Sequence, residues 1–290
     1  MSDAAEPLLR ATRLVKEFNV HGGGLLGRTA KLRAVDDVSL EVRAGETLAL
    51  VGESGSGKST TARLVARLVD LTSGDIEFAG RPVHALTGKA LHAYRSEVQM
   101  VFQDPYSSLN PKHSVERIVT APLVYQKRPV PGGARAFTKA LMERVGLNPD
   151  HSARFPAQFS GGQAQRIGIA RALAVAPKLI IADEAVSALD VSVQAQVINL
   201  LRRLQDEEGF SYLFIAHDLA VVRQIATRVA VMSEGRIVET GDRDQVFEEP
   251  RDPYTRKLLA AVPRIRPEWD AARRRNEAAR LERERQEADR

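Results

Sequence analysis

Thr47-Leu48-Ala49-Leu50-Val51 runs straight into Gly52-Glu53-Ser54-Gly55-Ser56-Gly57-Lys58-Ser59-Thr60. The first part is a short apolar run of the kind that fits a strand buried on both faces of a parallel sheet. Glycines then let the backbone curl, so that successive N–H groups point toward a common centre. From Lys58 to Val69 the apolar residues Ala62, Leu64, Val65 and Leu68 fall at helical spacing. The positive end of that helix adds to the same centre. Strand, glycine loop and helix in this order fit G-x-x-x-x-G-K-[ST], a phosphate cradle. In such a cradle Lys58 reaches the β- and γ-phosphates and Ser59 can ligate Mg²⁺. The alternative is an ordinary glycine turn before a helix, and the flanking elements argue against it.

The surrounding chain repeats the alternation. Residues 8–18 and 32–43 read as strands, separated by the polar, glycine-rich His21-Gly22-Gly23-Gly24. Further strands are expected at Glu97–Gln103, Lys178–Ala182, Tyr212–Ala216 and Val229–Met232. A mostly helical stretch, about 114–175, is broken at Pro131-Gly132-Gly133, and another helix is expected near 191–207. Buried strands alternating with helices argue for a parallel α/β sheet, with the helical middle as an insertion between strands.

Composition narrows the chemistry. At 290 residues and 43% hydrophobic, the chain can bury a substantial core as one large or two small domains. It contains no cysteine, which excludes disulfides, thiolate metal sites, cysteine nucleophiles and cysteine-ligated iron–sulfur clusters. The net charge of +5 permits an anionic partner. Much of the arginine, however, lies in the tail from Arg264 to Arg290, and the few aromatics do not interleave with basic residues. No base-stacking platform is suggested, and no nucleic acid is expected as a partner. The opening Met-Ser-Asp-Ala-Ala-Glu lacks a signal pattern, and no apolar run approaches the ~20 residues that cross a bilayer. A cytoplasmic protein is expected, able to dock on a membrane protein. The tail reads as a solvated helix or a frayed end, or, through Arg273-Arg274-Arg275, as a docking or lipid-surface segment.

Four further places carry possible chemistry. Asp183 and Glu184 end an apolar run. Neighbouring strand residues face opposite ways, so the two carboxylates share one task only if the strand has ended. Asp183 suits a Mg²⁺ shell, and Glu184 suits orienting or deprotonating a water. Ser160-Gly161-Gly162-Gln163 matches the capping box [ST]-x-x-[EQ]. It is either a well-capped helix or, with two glycines leaving N–H groups and room, a second anion site. His217 after an apolar strand and Gln103 after Val101-Phe102 are uninformative alone.

Taken in order, these residues strongly resemble an ATP-binding cassette (ABC) ATPase over about residues 8–262. The resemblance implies a P-loop NTPase core of RecA-like type: a parallel sheet, antiparallel β strands at the N-terminus and a helical insertion. Gly52–Thr60 resembles the Walker A loop, Leu179–Glu184 Walker B, and Ser160–Gln163 the ABC signature. Gln103 resembles the Q-loop glutamine, Ser187-Ala188-Leu189-Asp190 the D-loop, and His217 the switch histidine. Phe18 occupies the place of the aromatic that stacks on adenine. By resemblance the cofactors are ATP and Mg²⁺. The nucleotide would be bound by Phe18, Gly52, Glu53, Ser54, Gly55, Ser56, Gly57, Lys58, Ser59 and Thr60, and in trans by Ser160, Gly161, Gly162 and Gln163. Ser59, Gln103 and Asp183 would hold the metal, and Glu184, His217, Gln103 and Lys58 would carry catalysis.

Three stretches resemble the peptide and nickel importers in particular: Phe102–Pro111, Val186–Ser192, and Pro250-Arg251-Asp252-Pro253-Tyr254-Thr255 with Leu258-Leu259. The implied organisation is a cassette over 8–250 with a helical subdomain at about 104–175, an importer-type motif at 251–263 and a charged tail at 264–290. The implied partners are a second, homologous ATPase subunit, two membrane permeases and an external substrate-binding protein, at the cytoplasmic face of the membrane. Oligopeptide or dipeptide import is the expected function. The alternatives are the same motor for nickel, glutathione or sugar, or a soluble ABC ATPase acting on nucleic acid or ribosomes. Three residues depart from the family pattern: Ala185 where proline is usual, Asp252 for the usual histidine, and Phe159 for a common leucine.

Overall fold

The computed structural model of the chain describes residues 6–21 and 29–261. The glycines at 22–24, the first five residues, the end of the 251–263 motif and the tail at 264–290 lie outside the described residues.

The chain opens with a long antiparallel pair, β1 (Leu9–His21) and β2 (Thr29–Val42). The phosphate-cradle sequence follows as β3 (Thr47–Val51), the glycine turn and α1 (Lys58–Val65). A hairpin of β4 (Ser73–Phe78) and β5 (Arg81–Pro82) then adds to β1, giving a four-stranded antiparallel sheet in the order β2-β1-β4-β5. Next come α2 (Gly88–Glu97) and β6 (Val98–Val101).

Helices fill the span up to the next strand: α3 (Pro105–Ser108), α4 (Val115–Tyr125), α5 (Ala134–Arg144) and α6 (Gly161–Leu173). Strand and helix then alternate through β7 (Leu179–Asp183), α7 (Val191–Glu208), β8 (Ser211–Ala216), α8 (Leu219–Ile225) and β9 (Arg228–Ser233). The described chain closes with β10 (Arg236–Asp242), α9 (Arg243–Glu248) and α10 (Pro253–Ala260).

The second sheet has the order β10-β9-β3-β8-β7-β6. Every pairing in it is parallel except β10 with β9. The expected parallel core, N-terminal antiparallel strands and helical insertion are therefore all present. Its central strands alternate in the face they bury. Leu48, Leu50, Leu179, Ile181, Leu213 and Ile215 join the core shared with α1, α2 and the antiparallel sheet. Ala49, Val51, Ile180, Ala182, Tyr212 and Phe214 join the core shared with α4 to α8. Both faces are covered, which is why these strands read as continuous apolar runs.

The sequence reading departs from the structure in four places, the first being that α1 ends at Val65, so that Leu68, expected on its apolar face, is exposed beyond it. The strand expected at Glu97–Gln103 is shorter, Val98–Val101, because Glu97 closes α2. That helix is anchored by buried Tyr94, whose hydroxyl donates to the Val65 carbonyl. The β4–β5 hairpin and β10 bury too few residues to leave an apolar run, and α2 and α9 are short. Strands β1 and β2 also extend beyond the expected ends, to His21 and from Thr29.

Candidate functional site

Parallel neighbours bring four separate loops to one edge. β3, β8, β7 and β6 lie side by side, with Val51 opposite Ala216, Asp183 opposite Ile215, and Val101 opposite Ala182. The residues just past their C-terminal ends are Gly52, His217, Glu184 and the Phe102-Gln103 pair. The crevice outside the carboxyl ends of parallel strands is where ligands bind in open α/β sheets.

The glycine turn is held from both sides. At Gly52 (φ +153) a Cβ would stand 2.1 Å from the Met232 carbonyl oxygen of β9, and at Gly57 (φ +103) 2.3 Å from the Ala34 carbonyl oxygen of β2. Only glycine fits either position. At Gly55 (φ +81), by contrast, a Cβ would meet nothing within 4 Å, so this part of the turn faces open space. Lys58 is buried, and its ammonium donates to the carbonyls of Gly52 at 2.8 Å and Glu53 at 2.7 Å. Burial pushes the Lys58 pKa down, opposed by the nearby carboxylates of Glu184 and Asp183. Thr60 follows in the first turn of α1.

Across the crevice the Ser59 hydroxyl donates to Asp183 Oδ1 at 2.7 Å. Asp183 is 5% exposed. Its pKa is pushed up by burial, against the lowering effect of the Ser59 hydrogen bond and of Arg63. Hydroxyl, carboxylate and amide oxygens are hard donors suited to Mg²⁺, which takes one or two carboxylates and completes its shell with water and phosphate. The described residues contain no cluster of three or more His, Cys, Asp or Glu that would hold a metal unaided. Gln103 is exposed, two residues beyond β6. Among the described residues no hydrogen bond joins its side chain to Ser59 or Asp183. Its loop is instead fixed from α6: buried Gln165 donates to the Phe102 carbonyl, and Arg171 to the Ser108 carbonyl. The Tyr106 hydroxyl also donates to the carbonyl of Phe159, one residue before the capping box.

Glu184 leaves the strand at once, with φ +49, while its N–H still donates to Ile215. The two carboxylates consequently go to different partners. Glu184 Oε2 lies 3.3 Å from His217 Nδ1. Beside this pair is a cavity of about 40 Å³, lined by Glu184, Ser187, Gln194, His217, Asp218 and apolar neighbours. That volume holds a water molecule. Ala185, where the family usually has proline, is buried, and the turn is closed by the N–H and hydroxyl of Ser187, both donating to the Glu184 carbonyl.

Ser160–Gln163 opens α6 as a complete capping box. Gln163 N–H donates to Ser160 Oγ at 3.4 Å, and Ser160 N–H donates to Gln163 Oε1 at 3.0 Å. The Gln163 side chain thus already has a structural task. A Cβ on Gly162 would come within 2.4 Å of Val193 Cγ1, so the space beside this glycine is filled by α7 of the same chain, whereas Gly161 has only an ordinary contact with Leu189. None of the four residues lines the cavity at the phosphate turn or the one at Glu184. Phe18 is partly exposed on β1, opposite Leu32 of β2, with the Lys16 ammonium 5.1 Å from its ring centre. It belongs to the sheet whose Ala34 abuts Gly57.

Sequence reasoning passed over Gln165, whose signal was a polar residue inside an apolar helical stripe, and Val193. It also quoted Tyr254 only as part of a motif. In the structure the Tyr254 hydroxyl accepts a hydrogen bond from Glu53 N–H, inside the phosphate turn.

Comparisons with known proteins bear on the fold and the family of the chain. Residues 35–187 match the family model described as ABC transporter, and residues 238–287 match the one described as oligopeptide/dipeptide transporter, C-terminal region. The chain is 54% identical over 263 residues to the glutathione import ATP-binding protein GsiA of Escherichia coli, covering 90% of this chain and 42% of that protein. It is 52% identical over 259 residues to GsiA of Pectobacterium atrosepticum, covering 89% of this chain and 42% of that protein. The chain thus spans well under half the length of these curated relatives. Among solved structures, it resembles a dimeric ATP-binding cassette, MJ0796, in a post-hydrolysis state bound to ADP and Pi. That match has a TM-score of 0.71 and 27% identity, and covers 81% of this chain and 98% of the other. It also resembles cbiO1 of Clostridium perfringens, part of the ABC transporter complex cbiONQ, with a TM-score of 0.71 and 28% identity over 90% of this chain and 97% of the other.

Proposed function

The chain belongs to the ABC transporter family as an ATP-binding subunit of its oligopeptide/dipeptide group, and from that premise we propose that it hydrolyses ATP to drive import of glutathione or a similarly small peptide through a membrane permease. The observation that carries the catalytic half is the pairing of Ser59 with Asp183 beside the pairing of Glu184 with His217, at one edge of the sheet.

Each group has work suited to its surroundings. The N–H groups of Ser54 to Thr60 and the Lys58 ammonium hold the phosphates of ATP. Ser59 and Asp183, with Gln103 from the neighbouring loop, hold Mg²⁺, which when bound neutralises charge on the phosphates. Glu184 orients the attacking water and accepts its proton as the water oxygen bonds to the γ-phosphorus. The bond from that phosphorus to the bridging oxygen breaks, and ADP leaves with the electron pair. His217 holds the Glu184 carboxylate and faces the transferred phosphoryl group. Phe18 gives the adenine a face to stack on.

Ser160, Gly161 and Gly162 serve a second cassette. In this reading two cassettes pair head to tail, and the α6 start of one completes the phosphate cage of the other. Support comes from the exposure of Ser160 and Gln163 at the start of α6. The likeness to a cassette described as dimeric with ADP and Pi supports it too. Donors fixed in advance around developing charge work best where water is excluded. Gln103 and the helices between β6 and β7 relay the closure to two permeases at the cytoplasmic face of the membrane, supplied by an external binding protein. Among the described residues no helix is long and apolar enough to cross a membrane. A linked or separate second cassette both fit.

For the cargo, the relatives named for glutathione import favour what began as an alternative over general oligopeptide or dipeptide import. Two experiments test the proposal. Purified chain should hydrolyse ATP only with Mg²⁺, with a rate that rises with the square of protein concentration where the monomer prevails. A rate strictly proportional to concentration removes a cage built from two copies of this chain and leaves only pairing with a different cassette. Cells lacking the gene should lose uptake of labelled glutathione while keeping longer-oligopeptide and nickel uptake. The opposite pattern reassigns the cargo.

A further inference from the structure

The C-terminal segment after β10 is tied to the phosphate turn by a continuous run of hydrogen bonds. Glu239 of β10 is buried, and its two carboxylate oxygens accept the N–H groups of Arg251 and Asp252, each at 3.0 Å. Asp252 in turn caps α10, its Oδ1 accepting Tyr254 N–H at 2.8 Å. Arg256 donates back to the carbonyls of Pro250 and Arg251, closing the turn on itself. Tyr254, Leu258 and Leu259 pack against the core below. From this footing the Tyr254 hydroxyl reaches Glu53 N–H at 3.1 Å.

The peptide it meets is a particular one. The Glu53 N–H and the Gly52 carbonyl belong to the same planar unit. Its carbonyl end accepts the Lys58 ammonium at 2.8 Å, and its N–H end donates to Tyr254. Rotating that plane would break both bonds together. The Glu53 carbonyl, one peptide further on, also accepts from Lys58 and from Ser56 N–H. Tyr254 and Lys257 border, with Glu53 to Ser56, a cavity of about 270 Å³.

We propose that Tyr254 is a positioning residue for the phosphate turn: its hydroxyl fixes the Gly52–Glu53 peptide that seats Lys58, so seating of α10 and binding of nucleotide strengthen each other. The inference rests on the ATP-binding reading above. It gives the importer-type C-terminal segment a task within the cassette. By thermodynamic reciprocity, whatever the segment adds to nucleotide affinity, the nucleotide adds to the segment's docking.

The test uses the full chain, the nonhydrolysable analogue AMP-PNP with Mg²⁺, and the variant Tyr254→Phe, which keeps the ring and removes the hydroxyl. AMP-PNP affinity should fall by about two- to tenfold, the effect of one net hydrogen bond. The melting temperature without nucleotide should fall by no more than about 2–4 °C, the cost of one hydrogen bond, which separates positioning from loss of packing. In wild type, AMP-PNP should slow amide hydrogen exchange across 251–260, and in Tyr254→Phe it should not. Wild-type chain that shows no slowing across this segment overturns the inference without any variant. Tyr254→Phe with unchanged affinity overturns it too. A wild-type chain that fails to bind AMP-PNP at all sinks the ATPase reading instead.

Discussion

Oε2 of Glu184 lies 3.3 Å from Nδ1 of His217, although the two residues sit at the ends of different strands. The contact exists because β7 and β8 are parallel neighbours and Glu184 turns off its strand with a positive φ. A carboxylate held this way beside a water-sized cavity is placed to act on a water molecule.

Glu184→Gln keeps the shape and hydrogen-bonding reach of the side chain but cannot accept a proton. ATP affinity should be unchanged, and turnover should drop by about a hundred- to ten-thousandfold, the usual weight of a general base. Single-turnover hydrolysis beside equilibrium binding measures both. Wild-type turnover in the variant removes Glu184 from its role.

Asp183→Asn leaves a neutral acceptor for the Ser59 hydroxyl. Binding of ATP in the absence of metal should change little, and the gain in affinity on adding Mg²⁺ should disappear. A magnesium titration of ATP affinity reads this directly. An undiminished gain would move the metal elsewhere.

Ser160→Arg places a bulky cation at the start of α6 while leaving the phosphate turn untouched. In a head-to-tail pair, hydrolysis should stop while each chain still binds ATP. Sedimentation of the variant with ATP should show no dimer. Hydrolysis at the wild-type rate argues that one chain encloses its own nucleotide.

Gly162→Ala drives a methyl into Val193, whose β-branched side chain has one preferred rotamer in a helix. Overpacking of this kind costs about 1–3 kcal/mol. Val193→Ala in the same chain should recover most of it, and calorimetric melting of the single and double variants reads the coupling. If Gly162→Ala melts like wild type, the contact between α6 and α7 is looser than its geometry implies.

Burial alone would raise the pKa of Glu239, but the N–H groups of Arg251 and Asp252 outweigh it and hold the carboxyl below its ordinary 4.5. A folded pKa below the unfolded one means that folding favours the ionised form. That contribution is complete above the unfolded value and is lost as the pH falls through the folded one. Glu239→Gln should therefore lower the melting temperature near about pH 7, and the gap to wild type should narrow toward about pH 3. A gap that is constant over this range means the carboxylate charge contributes nothing.

The strands that pack both faces, β3, β7 and β8, were legible because each is a continuous apolar run. Strand β4 was not, since only Ile76 and Phe78 of its six residues are buried, and β10 buries only Glu239. At the site, the phosphate turn could be read from its glycines. The second glycine of the capping box was read as room for phosphate, yet Val193 from α7 fills the space beside it. Tyr254 and Glu53, 201 residues apart, carried no joint signal at all.

Local order by itself determined the phosphate turn, the capped start of α6 and the acidic pair ending β7. Turns, caps and strand ends are set by backbone angles and hydrogen bonds among residues a few positions apart, and these are written in adjacent letters. Only the tertiary structure decided that Ser59 meets Asp183, that Glu184 turns to His217 and that Tyr254 reaches the phosphate turn. Those meetings depend on the strand order β9-β3-β8-β7-β6 and on where α10 docks. Strand order and docking come from burying both faces of one sheet at once, which no stretch of neighbouring residues specifies.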